Sequence, residues 1–538
     1  MDNVDTASLF GLLDELEVSL KDLALCGPAV ASLVKRTCTL LRTADRSASD
    51  TACRLTTNLL RLADDKLNSY PYKDVPLHWR RLYTDAALLG ALARLLQPVM
   101  DAHERRASLR EAVRQLDLAI VIAGAPGDGR ENMALRLIAS AQKQLSSLQP
   151  EEQHEQVRPT KRRRISRDDP ALPDSRPSPR APPYIHRPLA ERTALPAFVL
   201  PSSSPLRCEP LIVRGGAADW PAVADPATRW SSLAYLRQVA GEGRVVPVEV
   251  GGDYTKEGWG QRVMDFHELL DALESNEAQP REPGARAPPP EVVLRDSPPD
   301  YGNGASSSGQ TSSSSILYLA QHSLFRQFPS LLSDILIPDL VYSAPDTDGT
   351  GAPYDSPATE DGYILNAWLG PAGTKSAAHT DPWWNCYVQV AGSKWLWVAP
   401  PSCSSAMSAF GSGSAAPAAS STCIASPGPE ASASDEHDQR GSAQAEQFMS
   451  NTSSLDVTVP PLQSALATPS APGDAPPSLL STGQERGEDG YYSRAWLEQV
   501  EPHARQAVLH EGDVLVMPPR WWHAMVSLET SFSVSIWF

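Results

Sequence analysis

Any fold this sequence adopts has to decide whether His379-Thr380-Asp381 and the distant Trp522-His523 meet, because two imidazoles and one carboxylate there can share a metal ion. His379 and Asp381 are two positions apart, so on an extended segment both side chains leave the same face. The third ligand then has to come from elsewhere in the fold. His523 is placed to supply it, following the apolar, proline-punctuated stretch Gly512 to Pro519 and preceding a last strand expected over 531–538. Two neutral nitrogens and one carboxylate on one side of an ion leave three positions open. Non-haem Fe(II) oxygenases use that arrangement to hold a cosubstrate and dioxygen.

The surroundings of these residues read as a β domain. From about residue 186, short apolar runs alternate with turn residues at 211–213, 244–250, 316–319, 363–369, 384–390, 394–399, 514–517 and 531–537. Strands spaced in this way fit an antiparallel barrel or double sheet of the jelly-roll kind, with a site buried at its centre. In this reading His379 stands at a strand start, and His523 follows a strand and its turn. Lys394 opens the strand after the Ala391-Gly392-Ser393 turn, which predicts a hairpin with the strand carrying Asn385. Its ammonium either points into the barrel beside the metal or lies exposed on an edge strand. Three stretches break the rhythm. Residues 275–315, 402–445 and 459–488 are crowded with Ser, Pro, Gly and Ala, so they are expected as disordered surface insertions.

Ahead of the β domain the apolar period is helical. Leu9, Leu12, Leu13, Leu16 and Leu20 fall on one face, as do Leu82, Ala86, Leu89 and Ala93. Breaks at Cys26-Gly27-Pro28, Tyr70-Pro71 and 123–129 divide residues 1–150 into several helices, an all-helical module suited to binding a protein partner or self-associating. Residues 151–185 are polar and proline-rich, a linker by composition, and contain Lys161-Arg162-Arg163-Arg164. That basic run is either a nuclear import signal or simply solvated linker, and it places the protein in the nucleus, with the cytoplasm as a second compartment.

Composition narrows the function classes. A net charge of -17 argues against coating nucleic acid by general electrostatics and favours a basic partner or substrate. The seven cysteines form no CxxC pair and no Cys/His zinc spacing, which predicts reduced thiols. The N-terminus lacks the basic start and apolar run of a secretory signal, and no apolar stretch is long enough to span a bilayer, so no membrane partner is expected.

Specific motifs take the reading further. Asn366-Ala367-Trp368-Leu369-Gly370-Pro371, Ser376, His379-Thr380-Asp381-Pro382, Asn385 and 388–394 resemble a JmjC domain, as do Gly512-Asp513 through Pro518, Trp522-His523 and the ending 531–537. Tyr318 to His322, Ile337-Pro338-Asp339, and Val246 to Gly251 with Tyr254-Thr255 are similar to one subgroup of that family. The likeness covers most of 186–538 outside the insertions, and Asn451-Thr452-Ser453 with Asp456-Val457 looks like an island of family sequence between two of them. The resemblance implies an α+β chain, with a C-terminal double-stranded β-helix of the cupin-like JmjC kind behind the helical module. It also implies that His379, Asp381 and His523 bind Fe(II), and that Lys394 pairs with the distal carboxylate of 2-oxoglutarate. Tyr318, Ser376 and Asn385 would add hydrogen bonds to that cosubstrate, and Glu249, Trp368 and Trp537 match positions implicated in holding an arginine side chain. A carboxylate can grip a guanidinium bidentately while indole faces stack on its plane. Trp383-Trp384 depart from the polar residues of the family's animal members, which puts the rim of the pocket in question.

The function these features predict is an Fe(II)- and 2-oxoglutarate-dependent protein hydroxylase, acting with dioxygen on an arginine side chain. Removal of methyl groups from histone lysine by the same iron chemistry is the alternative. A non-catalytic chromatin or signalling adaptor is the reading from another class, and an intact ligand set with Lys394 counts against it.

Overall fold

The computed structural model describes residues 6–18, 20–43, 45–71, 74–97, 101–148, 187–192, 208–251, 259–278, 316–343, 353–410, 451–458 and 494–538. The expected linker with its basic run, the stretch 459–488 and most of the other two expected insertions lie outside these residues.

The N-terminal region forms helices α1 (Thr6–Val18), α2 (Pro28–Thr43), α3 (Arg46–Leu67), α4 (Leu77–Leu95), α5 (Ala102–Val121) and α6 (Arg130–Ser147). Local chemistry sets their starts. Asp45 accepts from Ala48 N (2.8 Å) at the head of α3, and Asp101 accepts from His103 N (2.9 Å) and Glu104 N (3.0 Å) at the head of α5. The Cys26-Gly27-Pro28 and 123–129 breaks fall between helices as predicted, with Gly27 and Gly129 at positive φ. The two apolar stripes are buried, Leu12, Leu13 and Leu16 on α1 and Leu82, Ala86, Leu89 and Ala93 on α4. Helix α1 ends at Val18, and Leu20 begins a 3₁₀ turn. Helix α4 lies at the centre, packed against α3, α5 and α6.

The remainder is a double sheet. Its strands are β1 (Arg187–Pro188), β2 (Ala190–Arg192), β3 (Leu211–Val213), β4 (Val245–Val250), β5 (Gly260–Asp265), β6 (Leu317–His322), β7 (Ile364–Gly370), β8 (Lys375–His379), β9 (Asn385–Ala391), β10 (Lys394–Ala399), β11 (Arg505–Leu509), β12 (Val514–Met517), β13 (Trp522–Ser527) and β14 (Ser531–Trp537). One sheet runs β1-β11-β10-β13-β8 and the other β2-β3-β12-β9-β14-β7-β6-β4-β5. Between the facing sheets Ile212, Tyr387, Leu396, Val398 and Leu515 are buried in one cluster, while Val388, Val534 and Ile536 lie on the opposite face of the larger sheet in a second cluster with Trp230, Leu236 and Phe266.

Three expectations are corrected. The predicted hairpin between the strands of Asn385 and Lys394 does not form: β9 pairs with β12 and β14, while β10 pairs with β11 and β13. The tight turn at Gly392 carries the chain from one sheet to the other, which is how a jelly roll closes, so Lys394 enters the interior from the facing sheet. His379 ends β8 and does not start a strand, whereas His523 follows β12 and its turn as expected and is the second residue of β13. Strands β1, β2, β5, β8, β11 and β13 were not foreseen, because runs such as Lys-Ser-Ala-Ala-His have little intrinsic β preference and become strands through their neighbours. The expected insertions also begin later. A helix continues to Ala278, and Cys403 and Ala406, within a 3₁₀ turn over Pro401–Ala406, are buried together with Met407.

The Gly392 crossover gives a direct test of this topology. Its φ is +72°, and a Cβ there would sit 2.2 Å from the Thr530 carbonyl oxygen. Gly392→Ala should lower unfolding free energy by about 2 kcal/mol or more from positive-φ strain plus the clash. Gly11→Ala, in a helix with open space around it, should be neutral or slightly stabilising. Denaturant melts that show equal effects at both positions would contradict the crossover geometry.

Candidate metal centre and substrate cleft

Strand pairing assembles the centre. His523 on β13 stands directly opposite His379 on β8, and the register slips immediately beyond His523. The imidazole centroids are 4.2 Å apart. Asp381 follows β8, and its backbone carbonyl accepts from Arg520 N (2.8 Å), which ties the first half of the pattern to the turn before His523. The carboxylate reaches both rings, with Oδ1 4.0 Å from His379 Nε2 and Oδ2 3.6 Å from His523 Nε2. Among the described residues this is the group of His, Cys, Asp and Glu side chains able to converge on an ion, with donor atoms within 4.8 Å of one another.

Hydrogen bonds orient the rings. His379 Nδ1 lies 2.8 Å from the Ala377 carbonyl oxygen and His523 Nδ1 lies 3.1 Å from that of Trp521. A carbonyl only accepts, so both Nδ1 atoms carry the proton and both Nε2 lone pairs face Asp381. Burial and the neighbouring His379 hold His523 down to about 4, against the opposing pull of Asp381, so it is a neutral ligand at physiological pH. Nitrogen, nitrogen and carboxylate oxygen, with the cleft on the other side, suit a divalent transition ion with open positions.

The residues expected around a cosubstrate lie beside these three. Tyr318, Ser376, Asn385, Trp368, Tyr387 and Met525 line one pocket with His379, Asp381 and His523. Lys394 is buried behind this wall and donates to Tyr387 Oη (2.9 Å) and Tyr318 Oη (3.3 Å). No carboxylate among the described residues pairs with it, and burial brings its ammonium down to about 7. Burial pushes both phenols up, so each keeps a proton that it can donate. Asn385 Oδ1 is buried and has no partner. An uncompensated cation and two hydroxyl donors fit a dicarboxylic keto acid with one carboxylate at Lys394. Tyr387 was missed from sequence although it is two residues from Asn385 on the same strand, so period-two reading would have put both on one face.

The same pocket opens into a cleft of about 550 Å³ whose walls include Glu249, Trp259, Gln261, Trp368, Lys375 and Trp537. Glu249 on β4 stands opposite Gln261 on β5 and Tyr318 on β6. Burial raises its pKa, with Trp259 and Gln261 beside it pulling the other way, and no described cation pairs with it. Trp368 donates from Nε1 to Ser535 Oγ (3.1 Å), fixing its ring. Of the two departing tryptophans, Trp384 is core, packed near Phe538, while Trp383 packs beside Trp537 with centroids 5.6 Å apart. The segment 451–458 also reaches the cleft. Thr452 bridges to His379, Ser453 N donates to the Ala378 carbonyl (2.7 Å), and Lys375 pairs with Asp456.

Comparisons with known proteins agree with this geometry. Residues 203–538 match the family described as a cupin-like domain. The chain is 28% identical over 476 residues to lysine-specific demethylase 8 of Danio rerio, covering 88% of this chain and 84% of that one. It is 28% identical over 330 residues to Jumonji C domain-containing protein 5 of Drosophila melanogaster, covering 61% and 54%. With lysine-specific demethylase JMJ30 of Arabidopsis thaliana it shares 26% over 329 residues, covering 61% and 49%. The chain thus spans most of the fish relative and about half of the fly and plant ones. No described helix is long and apolar enough to cross a membrane.

Ligand loss is the test of the centre. Asp381→Ala should weaken Co(II) or Mn(II) binding at least tenfold in titration calorimetry, with the thermal midpoint of the ion-free protein changed little. An unchanged affinity would remove Asp381 from the ligand set.

Proposed function

This chain belongs to the cupin-like domain family and is a JmjC-type 2-oxoglutarate-dependent dioxygenase, and from that premise we propose that it hydroxylates an arginine side chain of a protein substrate. The observation that carries the proposal is Glu249, a carboxylate without a cationic partner in a cleft walled by Trp259, Trp368 and Trp537 and shared with His379 and Asp381. A guanidinium brings the missing charge, matches the carboxylate bidentately and stacks on indole faces.

In this reading His379, Asp381 and His523 hold Fe(II), and Lys394, Tyr318, Ser376 and Asn385 receive 2-oxoglutarate. Iron and keto acid together supply the oxidising power: dioxygen is consumed, the keto acid leaves as succinate and CO2, and one oxygen atom enters a substrate C–H bond. The protein's own contribution is placement. Glu249 anchors the head of the side chain, and Trp368 and Trp537 hold its plane. Trp383, packed on Trp537, stiffens that wall from the rim side.

Removal of methyl groups from lysine is the second reading. It is favoured by the names of the fish and plant relatives, and a methylated ammonium also suits an aromatic cleft with one carboxylate. We place the protein in the nucleus on the strength of Lys161-Arg162-Arg163-Arg164 and assign the helical module a protein partner in addition to the contacts it makes within this chain.

Two measurements test the proposal. With Fe(II), 2-oxoglutarate and oxygen, an arginine peptide should gain one oxygen atom in step with succinate formation, and Glu249→Gln should raise its KM at least tenfold, the loss of a charge-assisted bidentate contact of about 1.5–3 kcal/mol. Formaldehyde release from methyl-lysine peptides, without oxygen retained on arginine peptides, would decide for the second reading. The cosubstrate site has its own pH signature. A carboxylate docked at Lys394 needs the charged ammonium, whose value without it is about 7. Affinity for 2-oxoglutarate should therefore be nearly flat below pH 7 and fall by up to tenfold per unit above it, as binding has to take up a proton. Calorimetry in two buffers of different ionisation enthalpy would reveal that proton, and constant affinity from pH 6 to 9 would count against Lys394 as the anchor.

A further inference from the structure

The helical module meets the β domain at the edge of the sheet that carries the substrate cleft. Asp117 of α5 is fully buried and accepts two bonds from Arg244, Nε to Oδ2 (2.8 Å) and Nη2 to Oδ1 (2.7 Å). Its Oδ2 also accepts from Val245 N (2.9 Å), the first residue of β4. Arg244 donates onward to the Gln327 carbonyl (2.6 Å) and lies 4.3 Å over the Phe328 ring. Gln327 Nε2 donates to the Val245 carbonyl (2.9 Å), and its Oε1 contacts His322 at the end of β6. One carboxylate from a helix thus holds the start of β4 and, through Arg244 and Gln327, the end of β6.

Those two strands carry Glu249 and Tyr318, which stand opposite each other in the register, and β5 adds Gln261 against Glu249. Strands β5, β4 and β6 form the outer end of the larger sheet, with β5 as its edge strand. An edge strand is braced on one side only, and here the helices supply the second brace: Val245 and Val263 belong to the core of the helical module. Around the buried pair lies a more exposed ring. Glu242, in the turn before β4, is held by Arg106 (2.9 Å) and Arg110 of α5, and Gln142 of α6 donates to the Ala240 carbonyl (2.7 Å).

We infer that the helical module positions the substrate-binding edge of the cleft through Asp117 and Arg244, so that Asp117 is a positioning residue for substrate and not for iron. The assignment of substrate to this edge rests on the function proposed above, whereas the bracing of β4 and β6 does not. The iron ligands stand on β8 and β13 or next to them, in the other sheet, whereas Lys394 on β10 donates to Tyr318 of the braced strand β6.

The experiment uses the full chain and separates the two layers. In Asp117→Asn, amide exchange of residues 245–250 and 317–322 should accelerate at least tenfold while residues 514–517 and 522–527 keep their protection. The KM for the arginine peptide should rise at least fivefold, with kcat at saturating 2-oxoglutarate and the affinity for Co(II) within twofold of the parent. Should Asp117→Asn fail to fold, Glu242→Ala in the exposed ring is the deciding variant, with the same pattern at smaller amplitude. Unchanged exchange in β4 and β6 would overturn the brace. Faster exchange with an unchanged KM would overturn the positioning role, while absence of turnover on any arginine peptide by the parent protein would instead refute the substrate assignment and leave the exchange result standing.

Discussion

The pairing of β13 with β8 is the constraint on which the rest of the centre depends. It sets His523 opposite His379 in register, and the backbone bond from Arg520 to Asp381 then brings the carboxylate between the two imidazoles. Neither ring could keep this orientation by packing alone. Each Nδ1 is committed to a backbone carbonyl, so the position of the β-backbone decides where the Nε2 lone pairs point. A slip of one residue in this pair would turn His523 to the opposite face of its sheet and dissolve the cluster.

Around that cluster the structure carries two charges that the protein itself does not neutralise. Lys394 is buried with only tyrosine hydroxyls for company, and Glu249 sits among indoles without a cation. Burying an unpaired charge is costly, which is why such groups are rare outside sites that receive a ligand of the opposite sign. The two lie on different sheets, Lys394 behind the Tyr318 and Tyr387 wall of the pocket at the His–Asp–His cluster and Glu249 on the adjoining cleft, a geometry that suits an anion from one side and a cation from the other. Their opposite signs also explain how one cavity could sort a dicarboxylate from a basic side chain.

The helices belong to the same economy of support. A small sheet edge formed by β4, β5 and β6 gains a hydrophobic and ionic backing from α5 and α6, and the fully buried Asp117 finds its compensation in Val245 N and in Arg244, whose guanidinium lies over the Phe328 ring. The segment 451–458 backs β8 in a similar way from the other side of the cleft, with Val457 buried and Lys375 bound to Asp456.

Much of this was legible in the sequence. The helical stripes, the change of period near residue 186, the strands 394–399, 514–517 and 531–537, and the His-x-Asp with its distant His all follow from local periodicity and donor chemistry, which any segment carries with it. Other features were not legible, for one reason. Strand β8 is made of Lys, Ser, Ala, Ala and His, and becomes a strand only because β13 and Thr452 offer it partners. The crossover at Gly392 looks in sequence like a hairpin turn, and only the packing of two sheets sends Lys394 across to face Tyr318. Asp117, an ordinary acid in a helix by sequence, is joined to Arg244 across the boundary between helices and sheet. Residue type and spacing determined which chemistry the chain can perform; the long-range pairing of backbone and the burial of charge, which depend on distant partners, decided where that chemistry is held.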